Sequence, residues 1–471
     1  MISTGTRNLQ HSMEKIIEQL KSILGDSGVL TGEDISIRSA GWGLSDNIAA
    51  KAILRPQSTE EVSHVLKMCH TANQTIVTHG GLTGLVRGSF SRENDIILSL
   101  ERMNRIEEID EINRTMTIQA GAVLQTVQET AETANLMFPL DLGARGSCTI
   151  GGNIATNAGG IRVIRYGMTR DLVSGLEAVL ADGTIVSSLN KMIKNNSGYD
   201  LKQLFIGSEG TLGIVTRAVL RLQEQPKSQN TAFAAINSFG AVIAFLKLMH
   251  RELGGNLNAF EIMWRDFYRL VTTPPAKSQP PFSEEYPFYV LVESLGTDQV
   301  KDTEQFENAL QQAITQSLLA DAIITNSRSE RNKLWQMRDD VGQLFRYGPV
   351  IIFDVSLAIS DMEAYVDDVR RQLNDRWPGN HCFVFGHLGD GNLHIVVAPG
   401  IDDVKVRREI EKIVYSPLKA IGGSISAEHG VGIDKKPYLH HSRSEMEIDL
   451  MRRIKQALDP KNILNPGKIF D

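Results

Sequence analysis

The apolar positions along the chain change period many times. Over Met13–Leu24 they fall at 13, 16, 17, 20, 23 and 24, and Gly25 follows. That spacing predicts an amphipathic helix with a glycine stop. Ser58 stands three residues before Glu61, ahead of Val62, Val65, Leu66 and Cys69, which predicts a helix opened by a capping box. His64 and His70 on that helix read as surface residues, not ligands. Strand-like runs follow at Thr75–Thr78, Ile96–Leu98 and Met116–Ala120. The stretch "EAVLADGTIV" (177–186) predicts a hairpin that turns at Asp182-Gly183. The most apolar stretch, Phe233–Met249, contains Asn237, Ser238 and Lys247, so it predicts a buried or amphipathic helix and not a membrane span. "VTTPPAKSQPPF" (271–282) holds four prolines and predicts an exposed irregular loop. Short helices and short strands alternate throughout. That pattern predicts α+β units rather than one long parallel sheet.

Composition narrows the class. A chain of 471 residues is expected to build two or three structural units. With 42% hydrophobic and 22% charged residues, it reads as a soluble globular protein. The net charge of −7 and the lack of a basic run argue against general nucleic-acid binding. Cys69, Cys148 and Cys382 are too few for a disulfide framework and suit a reducing compartment. No basic region followed by an apolar stretch opens the sequence, so no secretory signal is expected. The expected location is the cytoplasm, with peripheral membrane attachment as the other option.

Two segments concentrate glycine: "THGGLTGLVRGS" (78–89), directly after a predicted strand, and "LDLGARGSCTIGGNIATNAGG" (140–160). Packed glycines after a strand expose backbone N–H groups and let a phosphate approach the main chain. A pair of tight turns is the plainer reading. The interleaved Ser, Thr and Asn residues favour a ligand. Neither segment is a strict G-x-G-x-x-G opening a helix, and no G-x-x-x-x-G-K-[ST] occurs. The pattern therefore points to a dinucleotide held by a fold other than the nicotinamide one.

A third stretch, "FGHLGDGNLH" (385–394), sets His387 and His394 on either side of a Gly-Asp-Gly-Asn turn. Phe383-Val-Phe-Gly leads in and Ile395-Val-Val leads out, so both flanks read as strands. If Gly389 to Asn392 form the loop, Leu388 faces Leu393 and His387 faces His394. Opposed residues then have Cβ atoms about 5 Å apart, near enough for two imidazoles to share a divalent metal. A plain turn with two solvated or hydrogen-bonded histidines fits the stretch as well.

Taken in order, "RPQSTEEVSHVL", "THGGLTGLVRGS", "GSCTIGGNIATNAGG", "RYG" and "FIGSEGTLGIVT" (205–216) resemble the FAD-binding domain of the vanillyl-alcohol oxidase/p-cresol methylhydroxylase (PCMH-type) flavoproteins. "GHLGDGNLH", "SAEHGVG" (426–432) and "NPGKIF" (465–470) resemble the D-2-hydroxyacid dehydrogenase branch, which includes D-lactate and D-2-hydroxyglutarate dehydrogenases. The resemblance runs from about residue 45 to the end. It implies an α+β fold: an N-terminal helical cap (1–45), a two-subdomain FAD-binding domain (46–225), and an α+β substrate domain with an antiparallel sheet (226–425). A final segment (426–471) would return to the flavin.

The resemblance also implies residue roles. Gly80, Gly81, Thr83, Gly84 and Ser89 in the first loop would wrap FAD. Pro139, Gly143, Ser147, Gly151, Gly152, Asn153 and Thr156 would do so in the second. Glu209, Gly210 and Ile214 match adenine- and ribose-side contacts, and Asn465 matches the residue that returns to the isoalloxazine. Arg87 stands where relatives have a small glycine. Leu82 occupies the place of the histidine that attaches flavin covalently, so FAD is expected to be noncovalent; His79 is not read as a linkage site. His387, His394 and Glu428 match a divalent-metal site suited to Zn²⁺ or Mn²⁺. His429 matches the general base and Arg338 the arginine that binds the substrate carboxylate, for which a bidentate fork is suited. Three polar positions that hold a second carboxylate in the 2-hydroxyglutarate branch are here Gly342, Ile352 and Val396. A buried distal carboxylate would lack partners.

The expected function is FAD- and metal-dependent oxidation of a D-2-hydroxy acid, D-lactate-like or apolar-tailed, to the 2-oxo acid. D-2-hydroxyglutarate is the alternative substrate. Expected partners are an electron-transfer flavoprotein, quinone or cytochrome as acceptor, and a second copy in a homodimer. A non-redox enzyme like alkyl-dihydroxyacetone-phosphate synthase is a rival, but it lacks the His/His/Glu arrangement. Others are an oxidase using O₂ and a flavin- or metal-binding protein without catalysis.

Overall fold

The computed structural model describes residues 4–42 and 47–471, with side chains from residue 13 onward. The chain forms two compact units. Of the described residues, the first comprises 4–42, 47–158, 168–225 and 428–471, and the second 159–167 and 226–427.

In the first unit, helix α1 (Thr4–Leu24) ends at Gly25, whose φ of 71° lies in the left-handed region that glycine enters without strain. Strands β1 (Val29–Leu30) and β2 (Ala52–Leu54) precede helix α2 (Thr59–Ala72). The Ser58 side chain caps α2 by accepting from the Glu61 amide, as the sequence pattern predicts. Strands β3 (Ile76–His79) and β4 (Ile96–Ser99) complete a four-stranded sheet in the order β1-β2-β4-β3. The β2–β4 and β3–β4 pairs are parallel, and these strands are buried along almost their whole length. Strands β5 (Ile106–Asp110), β6 (Thr115–Gln119), β7 (Val173–Val179), β8 (Ile185–Ser188) and β9 (Ile214–Arg221) form an antiparallel sheet in the order β5-β6-β9-β7-β8. The β7–β8 hairpin turns at Asp182-Gly183, as predicted, and Gly183 takes a φ of 87° there. The second glycine segment folds partly into a short helix (Ile150–Thr156).

The second unit is built on a seven-stranded sheet, antiparallel throughout. Its strands are β10 (Ser228–Ile236), β11 (Leu257–Trp264), β12 (Phe288–Gly296), β13 (Asp321–Ile324), β14 (Ile351–Ser356), β15 (His381–His387) and β16 (Asn392–Ala398), in the order β13-β10-β12-β11-β15-β16-β14. The apolar stretch Phe233–Met249 is therefore not one helix. Its first residues close β10, and Ser238 caps a separate helix, Phe239–Leu253. Asn237 and Ser238, the polar break in that stretch, mark the switch of period from two to 3.6. The proline-rich segment is irregular from Thr273, but it is not wholly exposed. Phe282 is buried and stacks 5.5 Å from Phe233.

Register sorts the sheet's side chains. Phe233, Tyr289, Leu291, Met263, Phe383, Phe385 and Val396 share one buried apolar cluster with Leu334 and Met337 of the helix Arg328–Asp339. Full burial of each large apolar side chain contributes about 1.5–3 kcal/mol. Strand alternation brings Glu261, His387, His394 and Asp354 onto that same face. The sheet thus supplies a rigid apolar floor with four ionisable groups at one end.

Candidate functional site

In the first unit the two glycine segments meet directly. A Cβ on Gly81 would lie 2.1 Å from the Ser147 carbonyl oxygen, and one on Gly80 would lie 2.7 Å from Thr149 Oγ1. Gly151 packs equally closely on Ala120, to whose carbonyl its amide donates at 2.7 Å. These three glycines are needed for chain-to-chain approach. Gly84 and Gly143 differ, since a Cβ there would meet nothing within 4 Å. Among the described residues, the amides of Gly81, Leu82, Thr83 and Gly84 have no acceptor. The Oγ1 atoms of Thr78 and Thr149 are buried without a partner, and Asn153 Nδ2 lacks an oxygen acceptor. Unspent donors beside open glycines fit a pyrophosphate-bearing ligand.

The remaining predicted FAD residues lie around these loops. Thr156 Oγ1 donates to the Gly152 carbonyl at 3.1 Å, and Ser89 Oγ donates to Ala40. Pro139 is buried, and Ser147 is exposed at the loop edge. Asn465 clasps two segments: its Oδ1 accepts from the Thr78 amide at 2.8 Å, and its Nδ2 donates to the Glu209 carbonyl at 2.6 Å. Gly210, with φ 70°, leaves room for that amide. The Glu209 carboxylate accepts from the Val431 and Gly432 amides at 2.7 and 2.8 Å. Burial pushes its carboxyl up, against those two hydrogen bonds. The expectation that Glu209 meets the nucleotide is thereby narrowed, because its side chain is spent on positioning the "HGVG" stretch. Ile214 likewise buries its side chain at the start of β9.

Leu82 and Arg87 both have positive φ, 58° and 52°, a costly conformation for side chains of that size. Arg87 uses it to reach Asp434 at 2.6 Å, which explains an arginine where glycine was expected. His79 is buried and donates Nε2–H to the Ser89 carbonyl at 2.8 Å; burial lowers its pKa to about 4, so it is neutral. Lys468, which sequence reasoning passed over, donates to the Phe90 carbonyl at 2.8 Å, and burial lowers its pKa to about 8.

In the second unit the "FGHLGDGNLH" hairpin closes through a 3₁₀ turn, Leu388–Asp390, with Gly391 left-handed at φ 85°. The tighter turn changes the register from the predicted one: Phe385, not His387, faces His394. The two histidines are diagonal neighbours, with ring centroids 5.2 Å apart. Each offers a ring nitrogen within 4.8 Å of the other's. Both are buried, at 5% and 9% exposure, which removes the solvated form of the plain-turn reading and leaves the hydrogen-bonded one beside the metal reading.

Two carboxylates that the sequence reading did not single out back these rings. Glu261 on β11 sits directly across from His387, and its Oε1 accepts from Nδ1 at 2.7 Å. Asp354 on β14 sits across from His394, with Oδ1 3.9 Å from Nδ1. Asp354 also accepts from Asn392 Nδ2 at 2.8 Å and from the Ala427 amide at 3.1 Å. Glu428 and His429 are the next two residues along the chain. Burial alone would raise the Glu261 carboxyl. The charges and hydrogen bonds of His387 and Arg338 outweigh it and hold the group below its ordinary value. Both acids lie in largely apolar strand runs, "NAFEIMW" and "IIFDVS"; a lone acid there was the available signal.

Arg338 is bound along one edge. Its Nε and Nη2 bind Glu261 Oε2 at 2.9 and 2.8 Å, and its guanidinium lies 5.0 Å from the Phe385 ring. One edge of the guanidinium is thus committed to a buried glutamate, and its Nη1 lies 3.8 Å from Asp339 Oδ1. Beyond the histidines the face turns apolar. Ile352 pairs with Val396, and Val396 with Phe383. Gly342 is exposed, in the 3₁₀ segment Val341–Tyr347.

Residues 225–469 match the C-terminal domain of FAD linked oxidases, and residues 50–188 match an FAD binding domain. The chain is 41% identical over 426 residues to D-2-hydroxyglutarate dehydrogenase of Xanthomonas citri pv. viticola, covering 89% of each chain. It is 35% identical over 473 residues to a Schizosaccharomyces pombe protein provisionally named D-lactate dehydrogenase, mitochondrial, covering 97% of this chain and 90% of that one. The crystal structure of p-cresol methylhydroxylase with substrate bound has the same fold, with a TM-score of 0.77 at 16% identity over 98% of each chain.

Proposed function

This chain belongs to the FAD-linked oxidases and, within them, to the D-2-hydroxyacid dehydrogenases; we propose that its substrate is a D-2-hydroxy acid with a short or apolar tail, held at a divalent metal. The observation that carries the metal reading is the buried His387–His394 pair, with Glu261 hydrogen-bonded behind His387 and Asp354 3.9 Å from His394. Glu428 is the proposed third ligand. Its support is sequence adjacency to Ala427, which is pinned to Asp354 beside His394. Two imidazoles and a carboxylate suit Zn²⁺ or Mn²⁺ with positions left for substrate oxygens.

Bound FAD supplies a hydride acceptor, and the metal supplies a Lewis acid that lowers the pKa of the substrate hydroxyl. His429 takes the hydroxyl proton as the α-hydrogen leaves with its electron pair, which gives the 2-oxo acid. Arg338 keeps the N–H groups of its Nη1–Nη2 end for the substrate carboxylate, with Asp339 Oδ1 3.8 Å from Nη1. The proposed FAD contacts are the amides of residues 81–84, the buried hydroxyls of Thr78 and Thr149, and Asn465. Leu82 has no nucleophilic atom, which supports noncovalent attachment.

The Ile352–Val396 pair supports the apolar tail. It lies one row from the His394–Asp354 pair and offers no partner to a second carboxylate. A site without partners for a buried charge rejects it far more sharply than it ranks one methylene, worth about 1–3 kcal/mol. The 41% identity to a D-2-hydroxyglutarate dehydrogenase favours the dicarboxylate as the second reading. The deciding experiment is kcat/KM for D-lactate, D-2-hydroxyisovalerate and D-2-hydroxyglutarate under one acceptor. A higher value for D-2-hydroxyglutarate overturns the first reading. The proposed acceptor is an electron-transfer flavoprotein, quinone or cytochrome, and the proposed assembly is a homodimer. Among the described residues no helix is long and apolar enough to cross a membrane. A cytoplasmic location remains a proposal, set against the mitochondrial designation of the fission-yeast relative.

A further inference from the structure

We infer that Glu261 is a positioning residue serving two groups at once: it fixes His387 with Nε2 turned to the metal and orients Arg338 for the substrate. The inference rests on the metal reading above. Glu261 is 1% exposed and lies on β11, held between β12 and β15, so its place is set by strand pairing and not by a loop. Oε1 is 2.7 Å from His387 Nδ1, and Oε2 is 2.9 and 2.8 Å from Arg338 Nε and Nη2.

A carboxylate can only accept. His387 therefore carries a proton on Nδ1, and on losing its other proton it holds the lone pair on Nε2. A neutral imidazole in that tautomer is the form that ligates a metal, and an acid behind the ring raises its basicity. The second oxygen is equally committed. With Nε and Nη2 tied to Oε2, the Phe385 ring 5.0 Å from its charge and Asp339 Oδ1 3.8 Å from Nη1, the Arg338 guanidinium is held in one orientation, with its Nη1–Nη2 end as the remaining donor edge. The metal-holding and carboxylate-holding parts of the site thus share one rigid joint.

Glutamine at 261 would match the shape but offer one acceptor and one donor. With its oxygen toward His387, its amide N–H groups confront the guanidinium. With the amide flipped, Nδ1 must accept, the proton moves to Nε2, and the metal loses its lone pair. Neither orientation serves both neighbours.

The test uses FAD-loaded Glu261→Gln. Mn²⁺ and Zn²⁺ affinities are measured by competition with a chelator, and kcat and KM for D-lactate at saturating metal. Metal affinity is expected to fall about 10–100-fold, as for other partners behind metal-bound histidines. KM is expected to rise with flavin content unchanged. Wild-type metal affinity and KM in a folded, flavin-loaded Glu261→Gln protein overturn the inference. If that variant yields no folded holoenzyme, Glu261→Asp is read instead. One carbon shorter, it cannot reach both partners, and at least a threefold loss of metal affinity is expected; no loss overturns the inference. A wild-type holoenzyme that takes up neither ion defeats the metal reading itself, a separate outcome.

Discussion

Gly81 and Gly84 sit three residues apart in one loop and should fail in different ways when given a methyl group. In Gly81→Ala the new Cβ would lie 2.1 Å from the Ser147 oxygen and 2.7 Å from the Cys148 Cα. An ordinary carbon–oxygen contact is about 3.3 Å, so the segments must part by about 1 Å. Neither wall gives freely. The Ser147 and Cys148 amides both donate to Ala144 at 2.9 Å, the Cys148 carbonyl accepts from Leu124 at 3.0 Å, and the Thr78 amide is held by Asn465 at 2.8 Å. Losing one or two such bonds costs about 1 kcal/mol each, and overpacking costs about 1–3 kcal/mol. A loss of about 2–3 kcal/mol lowers Tm by roughly 5–10 °C in a unit of this size. Gly84→Ala meets nothing within 4 Å, so the apoprotein should keep its Tm or gain slightly through the unfolded chain. FAD affinity should still fall about tenfold or more, because the methyl occupies the space proposed for the ligand. Thermal melts of both apoproteins and FAD fluorescence titrations separate the two effects. An unchanged apo Tm for Gly81→Ala, or wild-type FAD affinity for Gly84→Ala, refutes the reasoning.

Three further outcomes follow from the same geometry. His394→Ala should retain FAD but lose bound Zn²⁺ or Mn²⁺ and turnover, measured by metal analysis and steady-state rates; full activity in metal-free protein removes the metal from the account. His429→Asn should keep flavin and metal while kcat falls about 10²–10⁴-fold, and a drop below tenfold assigns the proton to another acceptor. His79 is neutral in the fold with a pKa of about 4, against an ordinary value of about 6.5. The unfolded chain binds the extra proton between those values, so the stability conferred by neutral His79 is complete above pH 6.5 and lost as pH falls toward 4, by up to about 3 kcal/mol. Urea unfolding at pH 7 and pH 5 should show a smaller pH dependence in His79→Gln than in wild type; equal dependence in both places the acid sensitivity elsewhere.

Local signals carried far in this sequence because period, caps and turn residues act within a few positions. The Ser58 cap, the Gly25 stop and the Asp182-Gly183 turn were legible for that reason. The boundary inside Phe233–Met249 was not, because a buried strand and a buried helix are both continuously apolar. The histidine pair was legible as a pair but not in register, since four loop residues can close as a plain turn or as a 3₁₀ turn that shifts the partners. Arg338 was singled out, but not the acid that holds it. Its partner Glu261 is 77 residues away and meets it through tertiary packing, which no local spacing reveals. The excursion of Gly159–Gly167 into the second unit was hidden for the same reason; there Ile164 packs against Gly389.

The central claim is that this chain takes a hydride from the α-carbon of a D-2-hydroxy acid held at a metal. Anaerobic mixing of the FAD-loaded protein with D-lactate, L-lactate and longer D-2-hydroxy acids, with Mn²⁺ or Zn²⁺ present and after chelation, tests it most directly through loss of the flavin's visible absorbance. The account predicts bleaching by D-enantiomers only, abolished by the chelator and restored by the metal. A metal- and FAD-loaded protein whose flavin stays oxidised with every D-2-hydroxy acid, or bleaches equally well without metal, contradicts it.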